Sequence, residues 1–411
     1  MSDKPMKFKV KGSIRDLLRF KNLVKKRAKI IDAAPASFKE EPYINTLAAR
    51  LHPELQHLVV REVIEETGTC KTFRLVPDGA GSRELAFFQA GQYLSVKLDV
   101  NGYRITRPYS ISSSPSDALK GFYDLTIKRL EGGFATGFIW NTWKTGSAVT
   151  ASGPLGQMYH APLRDGRSIV ALAGGSGVTP FRSMAREICY GRLDATLRLI
   201  YGCADDQEIL FHDEFRELAK KYPDRFSFVM VMSCEETSVE GCEKGFITRS
   251  VIQKHSNPAV DSYFTCGPDV MYDFTGLELA ALGVPVKRIR REAYGEIKKP
   301  LRFKDFPQSA VGRAFSINVR LKQGSVVVSA SGDESVLVAL ERAKLAPPSA
   351  CRSGECQYCR TLLVKGDVWV GPECDGRRAA DRQTGYIHPC ASFPVSDLEI
   401  VLPENGEVRK N

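Results

Sequence analysis

Four cysteines near the C-terminus constrain this chain more than any other feature. They follow the spacing C-x4-C-x2-C and then a fourth cysteine after thirty intervening residues, and they are Cys351, Cys356, Cys359 and Cys390. A [2Fe-2S] cluster needs four thiolates, two for each iron, and a loop of backbone N–H groups around its sulfides. Gly354 lets that loop approach closely and adopt a positive φ angle. We therefore predict a [2Fe-2S] cluster bound by these four cysteines.

A structural zinc site is the main alternative for these thiolates. Zinc ribbons favour two C-x2-C pairs, whereas one such pair is present here. Cys374 lies off the pattern, and we interpret it as an incidental thiol. The chain has eleven cysteines, an odd number, and its charged N-terminus has no secretory signal. We therefore expect a cytoplasmic protein, in a reducing compartment. In such a compartment these cysteines indicate metal binding more than disulfides.

The stretch around the cysteines resembles plant-type ferredoxin domains. The resemblance covers residues 314–405 and includes the tail that begins at Cys390 and ends at Ile400. It implies an α+β, β-grasp-like domain that holds the cluster. Gln357 and Tyr358 replace the small pair often found between the second and third ligands, which leaves the reduction potential open.

Residues 58–162 have short strands of period two, separated by glycine-rich turns, and this pattern predicts an antiparallel β-barrel. Two motifs in it suit a flavin. The first, residues 107–110, contains an arginine whose guanidinium can bind a phosphate through two N–H groups, together with the ring of a tyrosine and the hydroxyl of a serine. The second is a glycine loop that ends where we predict a helix over 136–143, and backbone N–H groups at a helix N-terminus attract phosphate.

These motifs resemble the R-x-Y-S/T and G-x-x-S flavin motifs of the ferredoxin-NADP reductase family. The resemblance implies catalytic roles for Tyr109 and for Ser110, which is expected near flavin N5. It implies cofactor binding by Arg107, Pro108, Tyr109, Ser110, Lys128, Gly132, Gly133 and Thr136. The Ser-Ser-Ser-Pro run that follows favours FAD, and FMN remains the alternative because related reductases with a C-terminal ferredoxin domain often use it.

Residues 163–295 alternate strands with helices, which predicts a parallel sheet. Two turns in this stretch resemble the G-G-x-G-x-T-P and C-G-P signatures of the same family, which bind NAD(P)H. By resemblance, Glu292 and Cys266 take catalytic positions, with Cys266 a positioning group and not a nucleophile. The implied cofactor-binding residues are Gly174, Gly175, Gly177, Thr179, Pro180, Cys266, Gly267, Pro268 and Tyr294.

Asp205 and Asp206 follow the second strand of this stretch, where dinucleotide folds bind the adenosine ribose. Acidic residues accept a hydrogen bond from a free 2′-hydroxyl and repel a 2′-phosphate, so we expect Asp205 to favour NADH over NADPH. The alternative is that both carboxylates only cap the helix near residues 208–220.

Residues 1–57 form a basic arm. Its first 31 residues carry eleven Lys and Arg against Asp3 and Asp16. We predict an amphipathic helix over 13–31, with Ser13 as N-cap, and a second helix near 44–51. The helix either contacts an anionic surface or packs on the body with a solvated basic face. No apolar run reaches 18 residues, so we expect no transmembrane segment.

Together these features predict a multidomain protein: the arm, a flavin barrel, an NAD(P)H domain, a linker over 296–313 and a ferredoxin domain. The resemblance implies an oxidoreductase that passes electrons from NADH to flavin, to the cluster, and on to a separate acceptor protein such as an oxygenase. The alternative is a flavoenzyme that reduces a small molecule directly, with the cluster as an internal relay. A non-catalytic redox sensor that binds an anionic surface or nucleic acid is a third reading, but the complete nicotinamide motif argues against it, so we expect no nucleic-acid partner.

Overall fold

The structure is a computed structural model that describes residues 12–34, 42–292, 295 and 297–403. The chain divides into two compact units, residues 1–50 and residues 51–411. The first contains helix α1 (Ile14–Asp32), and helix α2 (Tyr43–Leu51) ends at the boundary. As predicted, α1 begins directly after Ser13. The described helices include none that is both long enough and apolar enough to cross a membrane.

The second unit begins with a curled antiparallel sheet, as the strand pattern predicted. Its elements are β1 (Gln56–Glu65), β2 (Cys70–Pro77), β3 (Tyr93–Val100), β4 (Tyr103–Ser110), α3 (Pro115–Ala118), β5 (Tyr123–Lys128), α4 (Phe134–Thr142) and β6 (Ala148–Ala151). The strand order is β4-β3-β6-β1-β2-β5, and a bridge between Ile111 and Leu125 joins the two ends of the sheet. Alternate side chains point inward, so Phe73, Leu94 and Ile139 fill a common core.

The next part is a parallel sheet with helices between its strands, again as predicted. Its elements are β7 (Ser168–Gly174), α5 (Thr179–Cys189), β8 (Thr196–Cys203), α6 (His212–Lys221), β9 (Phe226–Met232), β10 (Glu243–Lys244), α7 (Arg249–His255), β11 (Ser262–Cys266), α8 (Asp269–Ala281) and β12 (Ile289–Arg291). The order is β10-β9-β8-β7-β11-β12. The carboxyl ends of parallel strands meet at one edge, where this fold class binds ligands. The turns after β7 and β11 therefore lie side by side.

The C-terminal part has a mixed sheet and one covering helix. Its elements are β13 (Ala314–Leu321), β14 (Gly324–Ser331), α9 (Val336–Arg342), β15 (Thr361–Lys365), β16 (Val368–Val370), α10 (Ala379–Gln383), β17 (Tyr386–Ile387), β18 (Ser392–Pro394) and β19 (Leu398–Val401). The main sheet has the order β14-β13-β19-β15-β17, with β13 and β19 parallel. Leu340 of α9 packs with Ile317 and Ile400 in the core. This is the β-grasp-like arrangement that the resemblance implied.

Residues 297–313, predicted as linker, are packed against the C-terminal part. Phe306 is buried, with its ring centroid 5.0 Å from that of Trp369. The Trp369 indole N–H also donates to Asp305 at 3.2 Å. The segment has no helical or strand period because its contacts come from single aromatic side chains. It therefore fixes the C-terminal part to the chain that precedes it.

A network of ion pairs joins the barrel to the parallel sheet. Arg186 of α5 pairs with Asp117 of α3 at 2.9 Å, and Arg182 lies 3.5 Å from Asp124 of β5. Both guanidinium groups also contact Glu214 of α6, at 2.7 and 2.8 Å. Because α5 starts directly after the glycine turn, this network sets where that turn lies relative to the barrel.

Candidate electron-transfer site

The predicted flavin motif occupies the end of β4. Arg107 and Tyr109 are partly buried and point to one face of the strand, while Pro108 and Ser110 are buried on the other. The Arg107 guanidinium donates to the Thr106 carbonyl at 2.8 Å. Burial raises the pKa of Tyr109, with the charge of Arg107 opposing it. The motif thus presents a cation and a neutral phenol on the same face.

The serines after this motif fix its conformation. Ser112 donates a backbone hydrogen bond to the Asp124 carbonyl at 2.8 Å, and Ser113 accepts one from the Asp124 N–H at 2.9 Å. Ser114 caps α3 in a reciprocal pair with Asp117. The Ser-Ser-Ser-Pro run is therefore bound along its length to β5 and α3, which holds the end of β4 in place.

The second flavin loop differs from its prediction in where the helix starts. Helix α4 begins at Phe134, with Gly133 as an extended N-cap, and not at Thr136 as predicted. The reason is that the Thr136 hydroxyl turns back and accepts from the Leu130 N–H at 3.2 Å. A Cβ at Gly133 would lie 2.3 Å from that hydroxyl. The first N–H groups of α4 thus follow a tight glycine turn, which suits a phosphate.

Lys128 has a partner that the sequence did not indicate. Its ammonium group pairs with Glu208 of the parallel-sheet domain at 2.8 Å. Thr69 at the start of β2 donates to the same carboxylate at 2.6 Å. Lys128 was predicted to contact the flavin cofactor, and its ammonium group lies at this contact between the barrel and the parallel-sheet domain.

The predicted nicotinamide turns meet in direct backbone contact. Gly174 ends β7, Gly175 opens the turn that follows, and Thr179 and Pro180 begin α5. The Thr179 hydroxyl donates to the Ser176 carbonyl at 3.1 Å. The decisive position is Gly177, where a Cβ would lie 2.3 Å from the Cys266 carbonyl oxygen. Only glycine allows the first turn to approach β11 this closely. This close approach of the two turns, which we call the crossing of Gly177 with Cys266, exposes backbone groups beside the α5 N-terminus, and such a site suits a pyrophosphate.

Cys266 ends β11, and Gly267 and Pro268 follow it, beside a tyrosine that the sequence did not indicate. Burial raises the pKa of Cys266, and the carboxylate of Glu292 adds to this rise. A neutral, buried thiol is consistent with the predicted positioning role. Tyr272 of α8 accepts from the Gly267 N–H at 3.3 Å and donates to the Glu292 carbonyl oxygen. It therefore ties together two of the predicted segments, while Tyr294 lies outside the described residues.

The two acidic residues after β8 have different environments. Asp206 accepts hydrogen bonds from Thr237 and from the N–H and hydroxyl of Ser238. The Asp205 carboxylate accepts only a local bond in the described structure, from the Gln207 N–H at 2.9 Å. Asp206 thus secures the loop after β9, whereas the Asp205 side chain is exposed.

The four predicted cluster ligands lie close together, three of them in the loop over residues 351–359 and Cys390 in the turn before β18. Cys359 Sγ lies 3.3 Å from Cys390 Sγ, and Cys351 Sγ accepts from the Ser353 and Cys356 N–H groups at 3.4 Å. Hydrogen bonds from the Cys356 and Cys390 thiols hold the pKa of Cys351 well below its usual value. Within the described residues no three ligands converge on a single ion. A [2Fe-2S] cluster takes two thiolates per iron, so this donor set fits it.

Two features shape the cluster loop. Gly354 has φ +82°, and a Cβ there would lie 2.0 Å from the Cys374 carbonyl oxygen. Arg352 has φ +61° although it is not glycine. Its guanidinium is 1% exposed and forms a bidentate ion pair with Glu341 of α9. This buried pair holds the residue beside Cys351 in a conformation that costs energy in isolation.

The cluster loop packs on the barrel directly beside the flavin motif. The Ser95 hydroxyl of β3 donates to the Ala350 carbonyl at 3.1 Å, and Thr106 of β4 forms a 2.5 Å hydrogen bond with Ser349. Ala350 immediately precedes Cys351. The strands that carry the flavin motif therefore also hold the loop that carries the cluster ligands.

Tyr93 lies where the three predicted sites meet. It pairs with Ser110 across β3 and β4, and it is 4% exposed. Burial raises its pKa, and the nearby charges of Cys351, Cys356 and Glu292 raise it further. A Cβ at Gly156 would contact both the Tyr93 ring and the Glu292 carboxylate. The signal for Tyr93 was present in the sequence: the Asn101-Gly102 turn fixes the hairpin register and so places it opposite Ser110.

Comparisons with known proteins agree with this arrangement. Residues 58–160 match the model of the oxidoreductase FAD-binding domain, residues 171–276 that of the oxidoreductase NAD-binding domain, and residues 319–395 that of the 2Fe-2S iron-sulfur cluster binding domain. The cofactors are therefore FAD, a nicotinamide dinucleotide and a [2Fe-2S] cluster.

Relatives share the whole modular order. The chain is 26% identical to the glycine betaine monooxygenase reductase subunit of Pseudomonas aeruginosa, over 87% of this chain and 98% of that protein. It is 28% identical to the 3-ketosteroid-9-alpha-monooxygenase ferredoxin reductase component of Mycobacterium tuberculosis, over 84% and 96%. The structure of phthalate dioxygenase reductase matches with a TM-score of 0.59 and 25% identity, over 85% and 97%. The chain is thus an oxidoreductase that joins an FAD-binding domain, an NAD-binding domain and a C-terminal 2Fe-2S iron-sulfur cluster binding domain.

Proposed function

We propose that this oxidoreductase takes electrons from NADH and delivers them singly, through its flavin and its cluster, to a separate acceptor protein of the oxygenase or related metalloenzyme type. The observation that carries the proposal is that the cluster loop packs on the strands of the flavin motif, through the hydrogen bonds of Ser95 with Ala350 and of Thr106 with Ser349. Relatives named as reductase components of monooxygenases support the acceptor class. No separate substrate-binding domain is evident in the described residues, which weighs against direct reduction of a small molecule.

A bound FAD would supply the conversion between a two-electron hydride donor and single-electron transfer to the cluster. The chain supplies position and electrostatics. We assign the α4 N-terminus and Arg107 to the flavin phosphates, and Ser110 to the edge of the ring system. We assign the crossing of Gly177 with Cys266 to the dinucleotide, and we assign Glu292 to a position beside its reacting end.

We further propose that NADH is the preferred donor and that Asp205, not Asp206, sets the preference. Asp206 is held by Thr237 and Ser238, whereas Asp205 has a carboxylate oxygen directed to solvent. We also propose a cytoplasmic location, because none of the eleven cysteines forms a disulfide in the described structure and a cluster with four thiolate ligands suits a reducing compartment.

The electron route is tested by anaerobic titration with NADH and with NADPH while the visible spectrum is recorded. We expect NADH to bleach the flavin absorbance and then the cluster absorbance. Cys390→Ser removes one cluster ligand and should abolish the cluster bands while flavin reduction by NADH persists. Cys374→Ser is the matched control, since it changes a cysteine in the same domain outside the ligand set. A cluster that resists reduction in the wild-type protein would overturn the proposal.

A further inference from the structure

The N-terminal helix α1 has a structure that the electron route does not use. It is 19 residues long, about 28 Å at 1.5 Å per residue. Ser13 and Asp16 form a capping box, in which the Asp16 N–H donates to the Ser13 hydroxyl at 3.2 Å and the Ser13 N–H donates to the Asp16 carboxylate at 3.1 Å. The box therefore satisfies two N–H groups at the start of the helix. Its start is specified by its own sequence.

One side of α1 is cationic along its whole length. Four cations and one amide recur at the spacing of one helix face: Arg15, Arg19, Asn22, Lys26 and Lys29. From residue 17 to residue 31 the helix has six cations and no Asp or Glu. Asp16 is engaged in the cap and Asp32 is the last residue of the helix. No acidic side chain thus neutralises this face.

The other side of α1 is apolar and exposed. Phe20, Val24 and Ile31 fall in one sector opposite the cationic face, with exposures of 67%, 52% and 64%. Leu23 and Ile30 widen this sector on one side and are also exposed. Arg27 lies within the sector, where its long side chain can extend to the interface while its stem stays among apolar groups.

We propose that α1 binds an anionic lipid surface and anchors this reductase peripherally to a membrane. A lipid interface accommodates both faces at once, because apolar side chains enter the acyl boundary and Lys or Arg contact phosphate headgroups. Nucleic acid would use the cations but leave Phe20, Val24 and Ile31 in water. An acidic protein groove would bury one face only. The absence of acids between residues 17 and 31 is what an anionic bilayer requires.

The test is co-sedimentation of the full-length protein with vesicles of phosphatidylcholine alone or of phosphatidylcholine with phosphatidylglycerol, at about 0.15 M salt. We expect binding to the anionic vesicles only. The triple variant Phe20→Ala, Val24→Ala and Ile31→Ala should weaken it roughly tenfold or more. Alanine is the best helix former, so this loss reports apolar area and not helix content. Replacing Arg19, Lys26 and Lys29 with Gln should abolish it.

The matched control replaces three exposed apolar residues of the second unit, Val260, Leu277 and Val286, with Ala. It should bind like the wild type. Every variant should reduce its cluster with NADH at the wild-type rate, which separates this inference from the electron route. The proposal is overturned if the wild type does not bind anionic vesicles, or if the alanine triple variant binds them as tightly as the wild type. If the wild type and the alanine triple variant both bind duplex DNA, and neither binds vesicles, the helix would be assigned to nucleic acid.

Discussion

Tyr93 of β3 lies directly opposite Ser110 of β4, and the same tyrosine lies close to the cluster ligand Cys351. The β3–β4 hairpin thus places a buried tyrosine beside the flavin motif, where the charges of the cluster cysteines also reach it. It follows that this tyrosine should matter for one electron-transfer step and not for the other.

We expect Tyr93→Leu to slow reduction of the cluster by the flavin about tenfold, because the loss of the ring leaves a gap between the two sites. Tyr93→Phe keeps the ring and should keep the rate. Hydride transfer from NADH to the flavin should stay within about twofold in both variants. Stopped-flow absorbance resolves the two steps. Equal slowing of both steps would instead indicate a general loss of structure.

Gly177→Ala should raise the KM for NADH at least tenfold. The added methyl group would lie 2.3 Å from the Cys266 carbonyl oxygen and would force the two nicotinamide turns apart. Gly276→Ala on α8 is the control, since a Cβ there has no atom within 4 Å. That variant should be neutral or stabilising by up to about 1 kcal/mol, because alanine favours a helix. An unchanged KM in Gly177→Ala would show that the turns tolerate separation.

Asp205→Asn should raise the ratio of kcat/KM for NADPH over NADH roughly tenfold. The amide can still accept from the Gln207 N–H, but it no longer repels a 2′-phosphate. Asp206→Asn should change kcat/KM equally for NADH and for NADPH, because Asp206 secures the loop through Thr237 and Ser238. Steady-state kinetics with both nucleotides decides. A larger change of the ratio in Asp206→Asn would reverse the assignment.

The ion pairs of Asp117 predict a pH dependence of stability. Burial alone would raise its pKa, but Lys120 and Arg186, together with hydrogen bonds from Ser114, hold the pKa below the usual 3.8. A carboxylate with a depressed pKa stabilises the folded state above its unfolded pKa and loses that effect as the pH falls through the folded value. Asp117→Asn should lower the free energy of unfolding by about 1–3 kcal/mol at pH 7. The difference from wild type should shrink below about pH 4.

Denaturant unfolding at several pH values measures this difference. Asp194→Asn is the control, because Asp194 forms an exposed pair with Arg167 and its side chain is 82% exposed. It should change stability by less than about 0.5 kcal/mol at every pH. A penalty for Asp117→Asn that persists below pH 3 would mean that the ion pairs are not its cause.

The sequence by itself determined the modules and much of the local structure. Strand and helix periods identified the barrel and the parallel sheet, and Ser13 marked the start of α1. The Asn101-Gly102 turn fixes the register that sets Tyr93 opposite Ser110, since both turn residues adopt positive φ. Such features follow from the conformational preferences of a few neighbouring residues, and these act over short separations.

Only the tertiary structure decided how the modules meet. Ser95 and Ala350 form a hydrogen bond although 255 positions separate them. Lys128 pairs with Glu208 across two domains, and Phe306 turns a predicted linker into a packed segment. No sequence period encodes these contacts, because they depend on which complementary surfaces come together once each module has folded. The distance between the two redox sites is therefore a property of packing between domains, whereas the identity of each site is a property of spacing within them.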